Sequence, residues 1–189
     1  MTRLADIAPR RCWGCLLSWA ETENHAQDEC PFCGSARPPI LFLDVDGVLN
    51  CVGRDEWGQL AEYAPGRRFP VYPPPGTADR VRRLTLEAFE PVWATAWLGS
   101  AHRCWSRVLN LDPMPWPYVD YERFKLVEIV RYARGRPWAW VDDDARWEMR
   151  ELGWTDEMVP GLVLAPDPAE GLTDEHVERL LTWAAEVPA

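Results

Sequence analysis

Residues 39–50 read PILFLDVDGVLN, an apolar run through Ile40, Leu41, Phe42 and Leu43 that ends in Asp44 and Asp46 around a single valine. A short continuous apolar run of this kind suits a strand buried on both faces. Two carboxylates placed where such a strand leaves the core need a partner of opposite charge, and the rest of the chain is read for one. It has 189 residues, 47% of them apolar and 12 of them Trp, enough for one core and a small appendage and too apolar for disorder.

Beyond this strand the chain alternates apolar runs with helical patterns. An irregular, Pro-rich stretch is expected up to Pro75. A helix follows over about 77–88, with Val81, Leu84 and Ala88 on one face. A strand "PVWA" at 91–94 leads to a helix carrying Leu98, Ala101, Trp105 and Val108. A weak strand near Tyr118 and Val119 precedes a helix with Leu126, Ile129, Val130 and Ala133. "PWAWV" at 137–141 is another buried strand, followed by a helix around 145–152, and "GLVLA" at 161–165 is the last. Thr173 caps a final helix whose first turn holds Asp174 and Glu175 and whose inner face holds Val177, Leu180, Leu181 and Ala184. The alternation predicts an α/β, Rossmann-like, doubly wound parallel sheet with helices on both faces.

In such a sheet the residues just past the strands share one edge. Those residues are Asp44 and Asp46, Thr95, and the run Asp142, Asp143 and Asp144, while Lys125 opens the helix before the fourth strand. Lys125 is the one lysine among 20 basic residues, and a compact ammonium is not interchangeable with a guanidinium where a point charge must reach a phosphate or carboxylate. Gathering Asp44, Asp46, Asp142 and Asp143 without a cation costs roughly 3–4 kcal/mol per close pair at an effective dielectric near 20. Oxygen ligands of this kind favour Mg²⁺. One carboxylate in such a site can act as a nucleophile and another can exchange protons with leaving group and water.

The N-terminal part has a different character. Cys12 and Cys15 form one C-x-x-C, Cys30 and Cys33 another, and the 14 residues between them suit two knuckles converging on one tetrahedral Zn²⁺. A segment this short has no core of its own, so a metal is the expected staple. Disulfides are the alternative, disfavoured in a reducing compartment. His25 between the pairs reads as a loop residue, because four thiolates already close a site. Cys51 and Cys104 are left over, and with no neighbouring His, Cys51 reads as a packed thiol. The linker "GSARPP", Gly34 to Pro39, divides a zinc ribbon over residues 1–36 from an α/β domain over residues 37–189.

The net charge of −10 gives no bulk argument for a nucleic-acid partner, although Arg67, Arg68, Arg80, Arg82 and Arg83 form a local basic stretch. No apolar run reaches the roughly 18 residues of a membrane span, and "CLLSWA" meets Glu21 and Glu23 too early for a signal peptide. A cytoplasmic protein with no membrane partner is expected.

With these residues in order, the segment 40–165 resembles the haloacid dehalogenase (HAD) superfamily of phosphotransferases. "DVDGVLN" is similar to its first motif, the Thr of "WATAW" to its second, Lys125 to its third and "WVDDD" to its fourth. The resemblance implies Asp44 as nucleophile and Asp46 as general acid/base. It implies Thr95 and Lys125 as holders of the phosphoryl oxygens. It implies Mg²⁺ held by Asp142, the Asp44 carboxylate and the Asp46 main-chain carbonyl, with Asp143 supporting the metal shell. Asp144 departs from the pattern and has no role in it. An acid at position 46 favours phosphoryl chemistry over carbon–halogen cleavage, because an alkoxide leaving group needs a proton. More narrowly, "WATAW", "WVDDD" and "PDPAEGLT" are similar to small HAD domains of actinobacteria and their phages, with related domains in RNA-repair proteins. The implied activity is a Mg²⁺-dependent phosphomonoester hydrolase, with a phosphate on a nucleic-acid end or nucleotide as one candidate substrate.

Only 48 residues separate Asp46 from Thr95, which leaves no room for a full cap domain. A capless or minimally capped site is open enough for a large phosphorylated substrate, and Trp57, Trp97 and Trp105 are candidates for stacking or for core packing. Two other readings stand beside this one. The first is a zinc-ribbon binding or adaptor module with a structural or regulatory HAD domain, and the second is a small-metabolite phosphatase.

Overall fold

The computed structural model describes residues 10–11, 18–19, 37–51, 53–64, 66–111 and 114–187. In chain order the elements are β1 (Arg10–Arg11), β2 (Ser18–Trp19), β3 (Ile40–Leu43), β4 (Gln59–Ala64), β5 (Arg67–Val71), α1 (Thr77–Glu87), β6 (Glu90–Trp93) and α2 (Ser100–Trp105). They continue with α3 (Lys125–Ala133), β7 (Trp138–Val141), α4 (Ala145–Leu152), β8 (Leu162–Leu164) and α5 (Asp174–Glu186). Cys12, Cys15, Cys30 and Cys33, with His25, lie outside the described residues. The two short strands that flank the first cysteine pair are antiparallel, Arg10 opposite Trp19 and Arg11 opposite Ser18.

The central sheet has four parallel strands in the order β6-β3-β7-β8. All four side chains of β3 are fully buried, Leu41 and Leu43 toward one face and Ile40 and Phe42 toward the other. This is why the sequence runs apolar there instead of alternating. On the first face the sheet packs against Val81 and Leu84 of α1, Trp105 of α2 and Leu180 of α5. On the second it packs against Leu126 and Ile129 of α3 and Met149 of α4. Helices therefore cover both faces of a parallel sheet, as in a doubly wound, Rossmann-like fold. Burial of each large aliphatic side chain contributes roughly 1.5–3 kcal/mol. At the last helix Thr173 forms a capping box with His176, as its position predicts. No helix among the described residues is long and apolar enough to cross a membrane.

Three local features differ from the sequence reading. The Pro-rich stretch before Pro75 contains an antiparallel hairpin, β4–β5, with Ala61 opposite Phe69. Pro70 obscures it in the sequence, yet a two-stranded ribbon has free edges where a missing N–H is tolerated. The hairpin buries Ala61 and Val71 in the first core. Second, the helix expected to include Leu98 begins at Ser100, because Leu98 adopts φ +47° and breaks the pattern. Third, the weak strand at Tyr118 is one parallel bridge to Trp93, with Val119 N donating to Trp93 O at 2.8 Å. Pro115 and Pro117 remove the donors a longer edge strand would use. Between Asp46 and Thr95 the described residues form a short 3-10 turn, the hairpin, α1 and β6, and no cap domain.

Candidate active site

Sheet register brings the candidate residues together. Leu43 of β3 stands opposite both Trp93 of β6 and Val141 of β7, so Asp44 and Asp142, one residue beyond, emerge side by side at the carboxyl edge. Asp44 N donates to Val141 O at 3.0 Å, and Asp142 N donates to Leu164 O at 3.1 Å. Asp142 is fully buried and Asp44 nearly so.

Lys125 is the partner of opposite charge. Its Nζ donates to Asp44 Oδ2 and to Asp142 Oδ2, both at 2.6 Å, from a side chain only 11% exposed. Burial works against the ammonium, but the two carboxylates outweigh it and hold the Lys125 pKa above the usual lysine range. Asp142 is pushed up to about 8, by burial and then by the charge of Asp44, with Lys125 pulling the other way. Burial, followed by the charges of Asp144 and Asp44, also raises Asp143. One oxygen from each of Asp44, Asp142 and Asp143 lies within 4.8 Å of the others. Three carboxyl groups gather beside one ammonium, which bonds two of them, and the donors are all hard oxygens, so the set fits a divalent cation such as Mg²⁺.

Two residues hold this cluster in ways the local sequence does not advertise. Glu148 of α4 accepts Lys125 N at Oε1 and Leu126 N at Oε2, each at 3.0 Å. Phe124, the N-cap residue of α3, supplies no side-chain cap, so a carboxylate from the next helix satisfies those amides. Burial raises the pKa of Glu148 in spite of these donors. Asp144, without a role from sequence, donates its backbone N–H to Asp142 Oδ1 at 2.9 Å and is the N-cap residue of α4.

The loop after β3 explains the glycine of the first motif. Gly47 has φ +74°, and a Cβ there would displace the Asp143 carboxylate and strain a left-handed backbone, so glycine suits the position. Asp44 Oδ1 accepts Val45 N at 2.7 Å. The Asp46 carboxylate is not one of the three clustered acids: its Oδ1 accepts Asn50 Nδ2 at 2.7 Å and its Oδ2 accepts Trp97 Nε1 at 2.8 Å. Thr95 is buried, and its Oγ1 accepts Trp97 N at 3.4 Å.

Asp44, Asp46, Thr95, Lys125, Tyr121 and Trp147 line one open cavity of about 360 Å³. Trp147 is 48% exposed and its ring centroid lies 6.3 Å from that of Phe124. It is the tryptophan at the rim, whereas Trp105 is core and Trp57 lies under the Arg54 guanidinium. The basic stretch is used in part within the fold, Arg80 pairing with Asp174 at 2.7 Å and Arg83 with Glu178 at 2.5 Å across α1 and α5. Cys51 is buried, and burial pushes its thiol up to about 11, opposed by Arg54; this is the behaviour of a packed thiol.

The family described as "HAD domain in Swiss Army Knife RNA repair proteins" matches residues 40–177, a span that holds every acid of the cluster together with Thr95 and Lys125. No curated protein and no solved structure matches the chain.

Proposed function

The chain belongs to the family of HAD domains in Swiss Army Knife RNA repair proteins, and from that membership we propose that it is a Mg²⁺-dependent phosphomonoester hydrolase working through an aspartyl-phosphate. The observation that carries the reading is Lys125 Nζ, 2.6 Å from both Asp44 and Asp142, with Asp143 completing the acid cluster. Asp44 attacks phosphorus as the bond to the leaving oxygen breaks, and Asp46 gives that oxygen its proton. Thr95 and Lys125 hold the phosphoryl oxygens. Water, giving a proton to Asp46, then attacks the aspartyl-phosphate and releases phosphate, which restores Asp44. Asp44, Asp142, Asp143 and the Asp46 main-chain carbonyl would hold Mg²⁺, which when bound supplies positive charge against the phosphoryl group.

For the substrate, an open cavity with the half-exposed Trp147 at its rim supports a nucleic-acid end, whose terminal base would stack on the indole. A small phosphorylated metabolite is the second reading, favoured by the cavity volume of about 360 Å³, which holds a single small molecule. In the same proposal residues 1–36 form a Zn²⁺ ribbon on Cys12, Cys15, Cys30 and Cys33, and residues 37–189 form the hydrolase domain. The antiparallel pairing of β1 and β2 around the first cysteine pair supports the ribbon.

The test is release of phosphate from p-nitrophenyl phosphate, nucleoside monophosphates and 5′- or 3′-phosphorylated oligoribonucleotides, with Mg²⁺ and with chelator. Turnover should need Mg²⁺ and should vanish in Asp44→Asn, which removes the nucleophile without unfolding the chain. Wild-type rates in that variant would rule the mechanism out.

A further inference from the structure

We propose that the β4–β5 hairpin orients Asp46 through Trp97 and Asn50, making these two residues positioning residues for the proton transfer; the inference rests on reading Asp46 as the acid/base. Asp46 is exposed, so its own burial does not fix its carboxylate. Both of its oxygens are nonetheless engaged, Oδ1 by Asn50 Nδ2 at 2.7 Å and Oδ2 by Trp97 Nε1 at 2.8 Å. Each carboxylate oxygen has a second lone pair, so both bonds leave acceptor capacity for a leaving group or a water.

The two donors lead to the same element. Asn50 Oδ1 accepts the backbone N–H of Tyr72, the residue after β5, at 2.8 Å. The Trp97 ring lies against Phe69 of β5, with centroids 5.0 Å apart, and meets Trp105 edge-on at 6.3 Å. Leu98, next to Trp97, holds the left-handed φ of +47°, a conformation a leucine adopts only when its surroundings impose it. The hairpin thus grips Asp46 at two points, one through a backbone amide and one through an aromatic contact. A carboxylate held in this way meets the leaving oxygen in one orientation, which is what a proton transfer in the transition state requires.

The discriminating readout is dependence on the leaving group, measured as kcat/KM with Mg²⁺ on the full chain. An alkoxide, as released from 5′-AMP, needs a proton as it departs, whereas p-nitrophenolate departs without one. Trp97→Phe removes the N–H and keeps a ring against Phe69. It should lower kcat/KM for 5′-AMP about tenfold, part of the roughly 10²–10⁴-fold a positioned acid–base group supplies, and change p-nitrophenyl phosphate less than about threefold. In an Asp46→Asn background the same substitution should leave the ratio of the two unchanged. Phe69→Leu, remote from Asp46, should shift the ratio in the same direction. In parallel, the Trp97 indole N–H resonance, assigned as the cross-peak missing from Trp97→Phe, should move in both Asp46→Asn and Phe69→Leu. Equal losses on both esters, an undiminished Trp97→Phe effect without Asp46, or an indole resonance indifferent to both substitutions would each overturn the inference. A wild type inactive on both esters and on phosphorylated oligoribonucleotides would overturn the phosphatase reading, and the inference with it.

Discussion

Glu148 accepts the backbone N–H of Lys125 at 3.0 Å, so the residue that bridges two acidic strand ends is anchored by a carboxylate from a different helix. The contact sets where α3 begins, and with it the reach of the ammonium. Glu148→Ala strips two buried amides of their partner. It should cost about 1–3 kcal/mol for each amide left unsatisfied, read by urea unfolding, and should lower turnover because Lys125 loses its anchor. A variant as stable and as active as the parent would show that the cap does neither.

Lys125→Arg should fold and lose on the order of 10²-fold in turnover. A planar fork cannot reproduce two 2.6 Å contacts to oxygens on different strands. Lys125→Met should be worse for stability, by about 3–5 kcal/mol, because it removes the one ammonium bonded to two buried carboxyl groups. Circular dichroism melts and phosphate release on both variants check these outcomes, and equal rates for Lys and Arg would reduce Lys125 to a structural ion pair.

The acid cluster predicts a linked dependence on pH and Mg²⁺. The folded protein raises Asp142 to about 8, above its ordinary range, so the folded state binds the extra proton. This contribution to stability is present at low pH and is lost as pH rises from the usual carboxylate range through about 8 in the ion-free protein. A cation must displace that proton at pH 6 and meets less competition at pH 8. The melting temperature gained from a fixed Mg²⁺ concentration should therefore grow between pH 6 and pH 8, and Asp142→Asn should abolish the gain. A Mg²⁺ shift that is flat with pH would contradict the assignment.

Trp147→Ala should separate the two substrate readings. If a terminal base stacks on the indole, KM for a phosphorylated oligoribonucleotide should rise by roughly 5–150-fold, the equivalent of ~1–3 kcal/mol per stacked base, and Trp147→Phe should recover part of it. An unchanged KM would favour a small metabolite.

Protein purified without chelators should carry about one equivalent of Zn²⁺, and Cys30→Ser/Cys33→Ser should lose it. A fragment beginning near Arg37 contains the whole parallel sheet and both cores, so it should keep Mg²⁺-dependent turnover of p-nitrophenyl phosphate. Metal analysis without zinc would remove the ribbon, and a folded but inactive fragment would make residues 1–36 part of the active site.

What the sequence determined alone is local and periodic. The apolar run 40–43 ending in acids, the "VDDD" after a second such run, the lone lysine opening a helix and the Thr173 cap are legible because each depends on neighbours a few positions away. Only the tertiary structure decided which of these polar ends meet. Lys125 reaches Asp44 across 81 positions of chain because the order β6-β3-β7-β8 sets β3 and β7 side by side in register. Trp97 reaches Asp46 across 51 positions because packing against the β4–β5 hairpin carries its indole there, and that hairpin is hidden behind Pro70 in the sequence. Glu148 reads as an ordinary acid in the first turn of α4 until α3 is packed beside it. Strand and helix patterns announce themselves through short-range periodicity, whereas contacts between side chains on different elements are fixed by sheet order and core packing.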